Sequence, residues 1–125
     1  DYMCDQIVNL VEQVKGGAIK AYAIATPERS PALPEVPTTK EAGLPDYQVS
    51  AWNALFAPKG LPQDVAARLN ATLVAALDDA HTRKRLLELG SVIPDKGGRS
   101  PQALQKLVES EVARWNPILK AYAQQ

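Results

Sequence analysis

Residues 29–45, RSPALPEVPTTKEAGLP, restrict the fold more than any other stretch of the 125-residue chain. Pro31, Pro34, Pro37 and Pro45 each hold φ at about −65° and bias the residue before them toward extended geometry. The first three force a path that is extended and poor in backbone hydrogen bonds, and Leu33 and Val36 are the apolar residues available to pin it to a body. Thr38-Thr39-Lys40-Glu41 then reads as a one-turn helix. Thr38 caps it, Glu41 stands at the N3 position of a capping box, and Gly43 ends it. The segment is predicted to be a rigid surface crossing and not a disordered linker.

Around that crossing the pattern is α/β. Asp1-Tyr2-Met3-Cys4 reads as the end of a buried strand, followed by a helix with Ile7, Leu10, Val11 and Val14 on one face and Gly16-Gly17 as its stop. Ile19 to Ala25 alternates and is predicted to be a second strand, closed by Thr26-Pro27. The order strand, helix, strand with tight connections predicts a βαβ unit with parallel strands. Tyr47 to Ala57 is long and β-leaning, and Pro58 to Pro62 breaks it. A helix from Pro62 places Val65, Leu69, Leu73, Ala76 and Leu77 on one side, and a shorter one runs from about His81 to Leu89, closed by Gly90. Residues 91–94 suggest a short strand. Ser100 caps and Pro101 begins the last helix, with a predicted buried face of Leu104, Leu107, Val108, Trp115, Ile118, Leu119 and Tyr122 and a kink at Pro117.

Composition excludes several function classes. Fourteen basic and fourteen acidic residues cancel, which gives no basis for a nucleic-acid or acidic-membrane partner. No apolar run approaches the roughly 20 residues of a membrane span. The single cysteine forbids an internal disulfide. Neither Gly16-Gly17 nor Gly97-Gly98 has phosphate-loop spacing. Cys4 lacks a nearby base that would make it a nucleophile, and reads as a small buried apolar residue. His81 beside Asp78 and Asp79 reads as a solvated helix junction, not a metal site. No catalytic set, metal or cofactor is expected.

Asp5 is the sharpest candidate, because ligands of open α/β sheets sit beyond the carboxyl ends of strands. Capping of the following helix is the competing and compatible role. Trp52 has the character of a cleft-lining aromatic, with lobe-core packing as its alternative. Arg29 and Lys40 are suited to an anionic ligand or to surface pairs with Glu28, Glu35 or Glu41.

Two phrases carry a family resemblance. Arg29, Leu33, Pro34, Val36, Pro37, Thr38, Glu41, Gly43 and Pro45 form one. The run from Trp52 to Pro62 (WNALFAPKGLP), followed by Arg68-Leu69-Asn70, forms the other. In this order and spacing the chain resembles the C-terminal portion of the tripartite tricarboxylate transporter substrate-binding proteins, the Bug family of periplasmic solute receptors. The resemblance implies part of a two-lobed, type II periplasmic-binding-protein fold. Residues 1–50 would complete the second lobe and 51–125 the first, and a leader and the earlier half would precede Asp1. It implies binding of a small carboxylate between the lobes and delivery to membrane transporter subunits, without catalysis. In the family the loop at Asp5 faces the cleft, often with an aromatic or aliphatic residue where Cys4 stands here. The candidate ligand-binding residues are therefore Asp5, Cys4 and Trp52. A ligand-sensing or protein-interaction module on the same lobes is the alternative, and self-association of the isolated piece is expected from its uncovered apolar faces.

Overall fold

A computed structural model describes residues 1–123. It contains four α-helices: α1 (Ile7–Lys15), α2 (Gln63–Asp78), α3 (Ala80–Glu88) and α4 (Pro101–Tyr122), with a 3-10 turn at Gly97–Arg99 before the last. The chain divides into two compact units, one of Asp1–Asn53 with Leu77–Ile93, the other of Ala54–Ala76 with the chain from Pro94.

The first unit is built on the proline crossing. Leu33 and Val36, each 8% exposed, pack on Val11 of α1, which is 0% exposed, and Ile7, Val14, Ala21, Ile24 and Ala32 surround them. The crossing is therefore pinned by the two apolar residues that its sequence offers. α1 ends where Gly17 turns to φ +72°, with the Ala18 N–H donating to Gln13 O at 2.9 Å and the Gly17 N–H to Val14 O at 3.1 Å. The same pair of bonds ends α3, from Ser91 to Leu86 and from Gly90 to Leu87. Such paired bonds satisfy carbonyls that a helix end would otherwise leave unpaired.

No β-ladder forms among the described residues. The strands expected at 1–4, 19–25, 47–57 and 91–94 are extended or irregular backbone, and so is the expected βαβ unit. The only sheet-like pairing described is a parallel bridge between Ile24 and Thr38. The Ile24 N–H donates to Pro37 O, the Thr39 N–H to Ile24 O, and the Val49 N–H to Ala25 O, each at 2.9 Å. The reason is physical: an alternating apolar pattern makes a segment fit for a strand, but a strand exists only through a partner's N–H and C=O groups. Residues 24–25 find partners in the crossing and in Val49. Residues 1–4 are exposed, not the buried strand end that their composition suggested.

The second unit is helical. Ser100 caps α4, its hydroxyl accepting from the Ala103 N–H at 3.1 Å, and Pro101 stands at the first helical position, where its missing N–H costs nothing. α2 begins at Gln63, one residue after Pro62. α4 runs continuously past Pro117 to Tyr122. The face of α4 predicted to be buried is not: Leu104, Val108 and Trp115 are half-buried, while Leu107, Ile118, Leu119 and Tyr122 are exposed. Spacing groups these apolar residues on one side of α4, but none of them is buried.

Candidate functional site

A hydrogen-bonded polar constellation lies on the crossing. Thr38 and Glu41 form a reciprocal capping box: the Thr38 N–H donates to Glu41 Oε2 at 2.7 Å, and the Glu41 N–H donates to Thr38 Oγ1 at 3.2 Å. The turn closes through Ala42 N–H to Thr38 O and ends with Gly43 at φ +91°, whose N–H reaches Lys40 O while the Leu44 N–H reaches Thr39 O. An L side chain is strained at that φ, which is why glycine closes the phrase. Arg29 then grips Glu41 as a fork, with Nε donating to both carboxylate oxygens (3.1 and 3.0 Å) and Nη2 to Oε1 at 2.9 Å. Its Nη1 donates to Pro34 O at 3.0 Å. The Arg29 fork and the Thr38 amide hold the Glu41 carboxyl down to about 2, and Glu41 in turn raises the Arg29 guanidinium. Of the two roles open to Arg29, pairing with Glu41 is the one occupied. The hydroxyl of Thr39, itself buried, donates to Tyr47 O at 2.6 Å and ties the turn to the outgoing chain.

Asp5 stands at the entrance of α1. Its Oδ1 accepts from the Gln6 N–H at 2.7 Å and from Asn9 Nδ2 at 3.0 Å. Gln6 is the N-cap residue and makes no side-chain cap of its own. The carboxylate one residue earlier thus serves the helix start, where negative charge is favoured by the helix dipole. Cys4 is a free, exposed thiol, not a buried apolar residue. Trp52 is 38% exposed, less covered than lobe-core packing would require. Asp79, expected in a solvated junction, is the N-cap of α3: it accepts from the Thr82 N–H at 2.8 Å, and this bond lowers its carboxyl below the ordinary range. An aspartate three residues before a threonine at the start of a helical run was the signal that identifies it.

Two depressions are found in the first unit. One, open, of about 570 Å³, is lined by Val14, residues 17–21 and Val36. The other, of about 170 Å³, is lined by Pro31, Arg83, Leu87 and residues 90–93. Asp5, Cys4 and Trp52 line neither. Arg83 spends one donor on Leu77 O at 3.2 Å. Among the described residues no three His, Cys, Asp or Glu side chains gather as a metal cluster, and no helix is long and apolar enough to cross a membrane.

Comparison with known proteins points to the class of periplasmic binding proteins. The profile of the "Tripartite tricarboxylate transporter family receptor" matches residues 1–123, and the chain belongs to this family. An Agrobacterium vitis protein, "UPF0065 protein in the TAR-I ttuE-ttuC' intergenic region", is 40% identical over 95% of the chain. BugT of Bordetella pertussis is 28% identical over 89% of it. Among solved structures, MatC (Rpa3494) from Rhodopseudomonas palustris with bound malate superposes with a TM-score of 0.88 at 50% identity over 94% of the chain. The periplasmic binding protein BugD does so at 0.86 and 37% over 95%. The chain thus carries part of a periplasmic-binding-protein fold. It spans 34% of the A. vitis protein, 33% of BugT and 40% of each solved chain.

Proposed function

We propose that this chain is part of an extracytoplasmic solute receptor that binds a small carboxylate between two lobes, without turning it over, and presents it to a tripartite tricarboxylate-type transporter. The observation that carries the reading is the family match over residues 1–123 together with a malate-bound neighbour at 50% identity and TM-score 0.88. Periplasmic location and the absence of catalysis follow from the same reading. Residues 1–50 would belong to one lobe and 51–125 to the other.

Within this reading Asp5 acts on ligand choice through its charge. The Asp5 side chain already spends Oδ1 on the Gln6 N–H and Asn9 Nδ2 at the start of α1 and offers oxygens that accept, so it does not serve as the anion site. What it can accept is a hydroxyl or amide hydrogen from the ligand. Asp5 would therefore favour a carboxylate that also carries such a donor over one that does not. Cys4 and Trp52 are the other candidates, contributing shape rather than charge.

Titration calorimetry with malate, succinate and a monocarboxylate series tests this. Malate should bind more tightly than succinate, and Asp5→Ala should remove most of that preference while leaving succinate affinity near the parent's. Equal affinity of parent and Asp5→Ala for every ligand would take Asp5 out of the site. Saturable binding of none of the carboxylates would overturn the receptor reading.

A further inference from the structure

The smaller depression, of about 170 Å³, is built wholly within the first unit, from Pro31 of the crossing, from α3 and from the chain that leaves α3. Asp5, Cys4 and Trp52 do not line it, so it is separate from the candidate residues of the receptor reading. Its floor is fixed by the end of α3. Gly90 is buried at φ +77°, and a Cβ there would meet Ile7 Cδ1 at 3.1 Å, so glycine is what lets this turn rest on α1. The Ser91 and Gly90 N–H groups donate to Leu86 O and Leu87 O, which leaves both carbonyls satisfied. The walls, Pro31, Leu87, Val92 and Ile93, are apolar, and Leu87 and Val92 are exposed.

Arg83 is the charged residue of this lining. It is half-buried and spends Nη1 on Leu77 O at 3.2 Å. Its neighbours on α3, Lys84 and Arg85, both reach Glu88, at 3.9 and 3.7 Å. Among the described residues no carboxylate pairs with Arg83 in the same way. A guanidinium carries five N–H donors and keeps its charge, and partial burial against apolar walls is unfavourable without a counter-charge. A carboxylate is the anion whose two oxygens match the donors that Arg83 has left.

The remaining features set the class of ligand. The pocket is smaller than the roughly 300–1,000 Å³ of sites for drug-sized molecules. Its far side meets the C-terminal end of α3, where the helix dipole is negative, so a second ligand carboxylate would lie against apolar walls with an unfavourable field. We infer that this pocket binds a compact aliphatic monocarboxylate, with its carboxylate on Arg83 and its hydrocarbon body against Pro31, Leu87, Val92 and Ile93. The site goes beyond the receptor reading and makes no use of Asp5.

Amide-shift titrations of the ¹⁵N-labelled protein with isovalerate, its neutral analogue isovaleramide, and succinate test this. Isovalerate should give saturable shifts centred on α3 and residues 90–93, and the other two should bind at least about tenfold more weakly, the loss of a charge-assisted pair or of apolar fit. Arg83→Gln should weaken isovalerate by a similar factor, whereas Lys84→Gln, whose partner is Glu88, should leave it unchanged. Ile93→Trp fills the pocket without altering its charge and should abolish the same shifts, which keeps the test decisive if Arg83→Gln fails to fold. Absence of saturable isovalerate shifts, shifts centred elsewhere, equal binding of isovaleramide, or isovalerate affinity unchanged in either pocket variant would each overturn the inference. Malate titrated in the same way, with Asp5→Ala as its control, reports on the receptor reading, so the two can fail separately.

Discussion

Val11→Ala should be the most informative single perturbation of the first unit. Val11 is fully buried at the point where Leu33 and Val36 of the crossing meet α1. The substitution removes two methyl groups, worth about 1.6 kcal/mol at roughly 0.8 kcal/mol each. If the space left, about 40 Å³, does not collapse, the cavity adds about 1 kcal/mol at roughly 24 cal/mol per Å³. The expected cost is therefore about 1.6–2.6 kcal/mol, the upper end applying if the cavity stays open. Among the described residues three buried apolar side chains form this core, with five partly buried ones packed against it. With a small-protein urea slope of roughly 1–3 kcal/mol/M, the unfolding midpoint should fall by about 0.5–2.6 M with the slope unchanged. Hydrogen exchange of the α1 amides should speed up in parallel. Glu12→Ala, on the exposed side of the same helix, should change stability by less than about 0.5 kcal/mol. A Val11→Ala cost as small as that of Glu12→Ala would show that the crossing is not held by this contact and would refute the packing argument.

Other expectations follow from the crossing and the helix ends. Glu41 has a carboxyl depressed to about 2 from an ordinary 4.5, so its contribution is fully present above pH 4.5 and is lost as pH falls toward 2. The melting temperatures of the parent and Glu41→Gln should differ at pH 6 and converge as the pH nears 2, and a constant difference would exclude the Arg29 fork as the cause. Gly43→Ala forces an L side chain to φ +91° and should cost on the order of 1 kcal/mol, measured by urea unfolding, whereas an unchanged midpoint would mean that the turn relaxes freely. Ser100→Ala removes the hydroxyl that accepts from Ala103 and should cost about 1 kcal/mol. Its signature is faster hydrogen exchange in the first turn of α4, with no change in α1.

Local grammar was legible in the sequence because its causes are local. The Thr38–Glu41 box, the Gly43 stop, the Ser100-Pro101 start and the α1 stripe each depend on residues within a few positions of one another. The Arg29–Glu41 pair spans a longer interval, and the sequence leaves Arg29 open to an anionic ligand or to Glu28, Glu35 or Glu41; the fold selects Glu41. The strands were not legible in the same sense. The alternation from Ile19 to Ala25 states a preference, while pairing depends on a second segment, and the segment that meets Ile24 is the proline crossing. Burial failed for a related reason: spacing shows which side of α4 is apolar, but Leu107, Ile118 and Leu119 are exposed because no described residue covers them. For the candidate site, residue type and position selected Asp5, and the structure adds the Gln6 and Asn9 bonds that a one-dimensional reading leaves open. Family membership was legible because the two phrases lie within continuous stretches of the chain.

The Arg29 fork also works as a staple. It joins positions 29 and 41 across the proline crossing, the kind of span that a small exported domain often closes with a disulfide. With one cysteine the chain has no such option, and an ion-paired closure does not depend on redox conditions. The trade is sensitivity to salt, because both groups are partly exposed and their attraction is screened over a Debye length of about 8 Å at physiological ionic strength. A thiol reductant should leave the crossing intact, while molar salt should loosen it, so this segment answers to ionic strength where a cystine-closed loop would answer to oxidation.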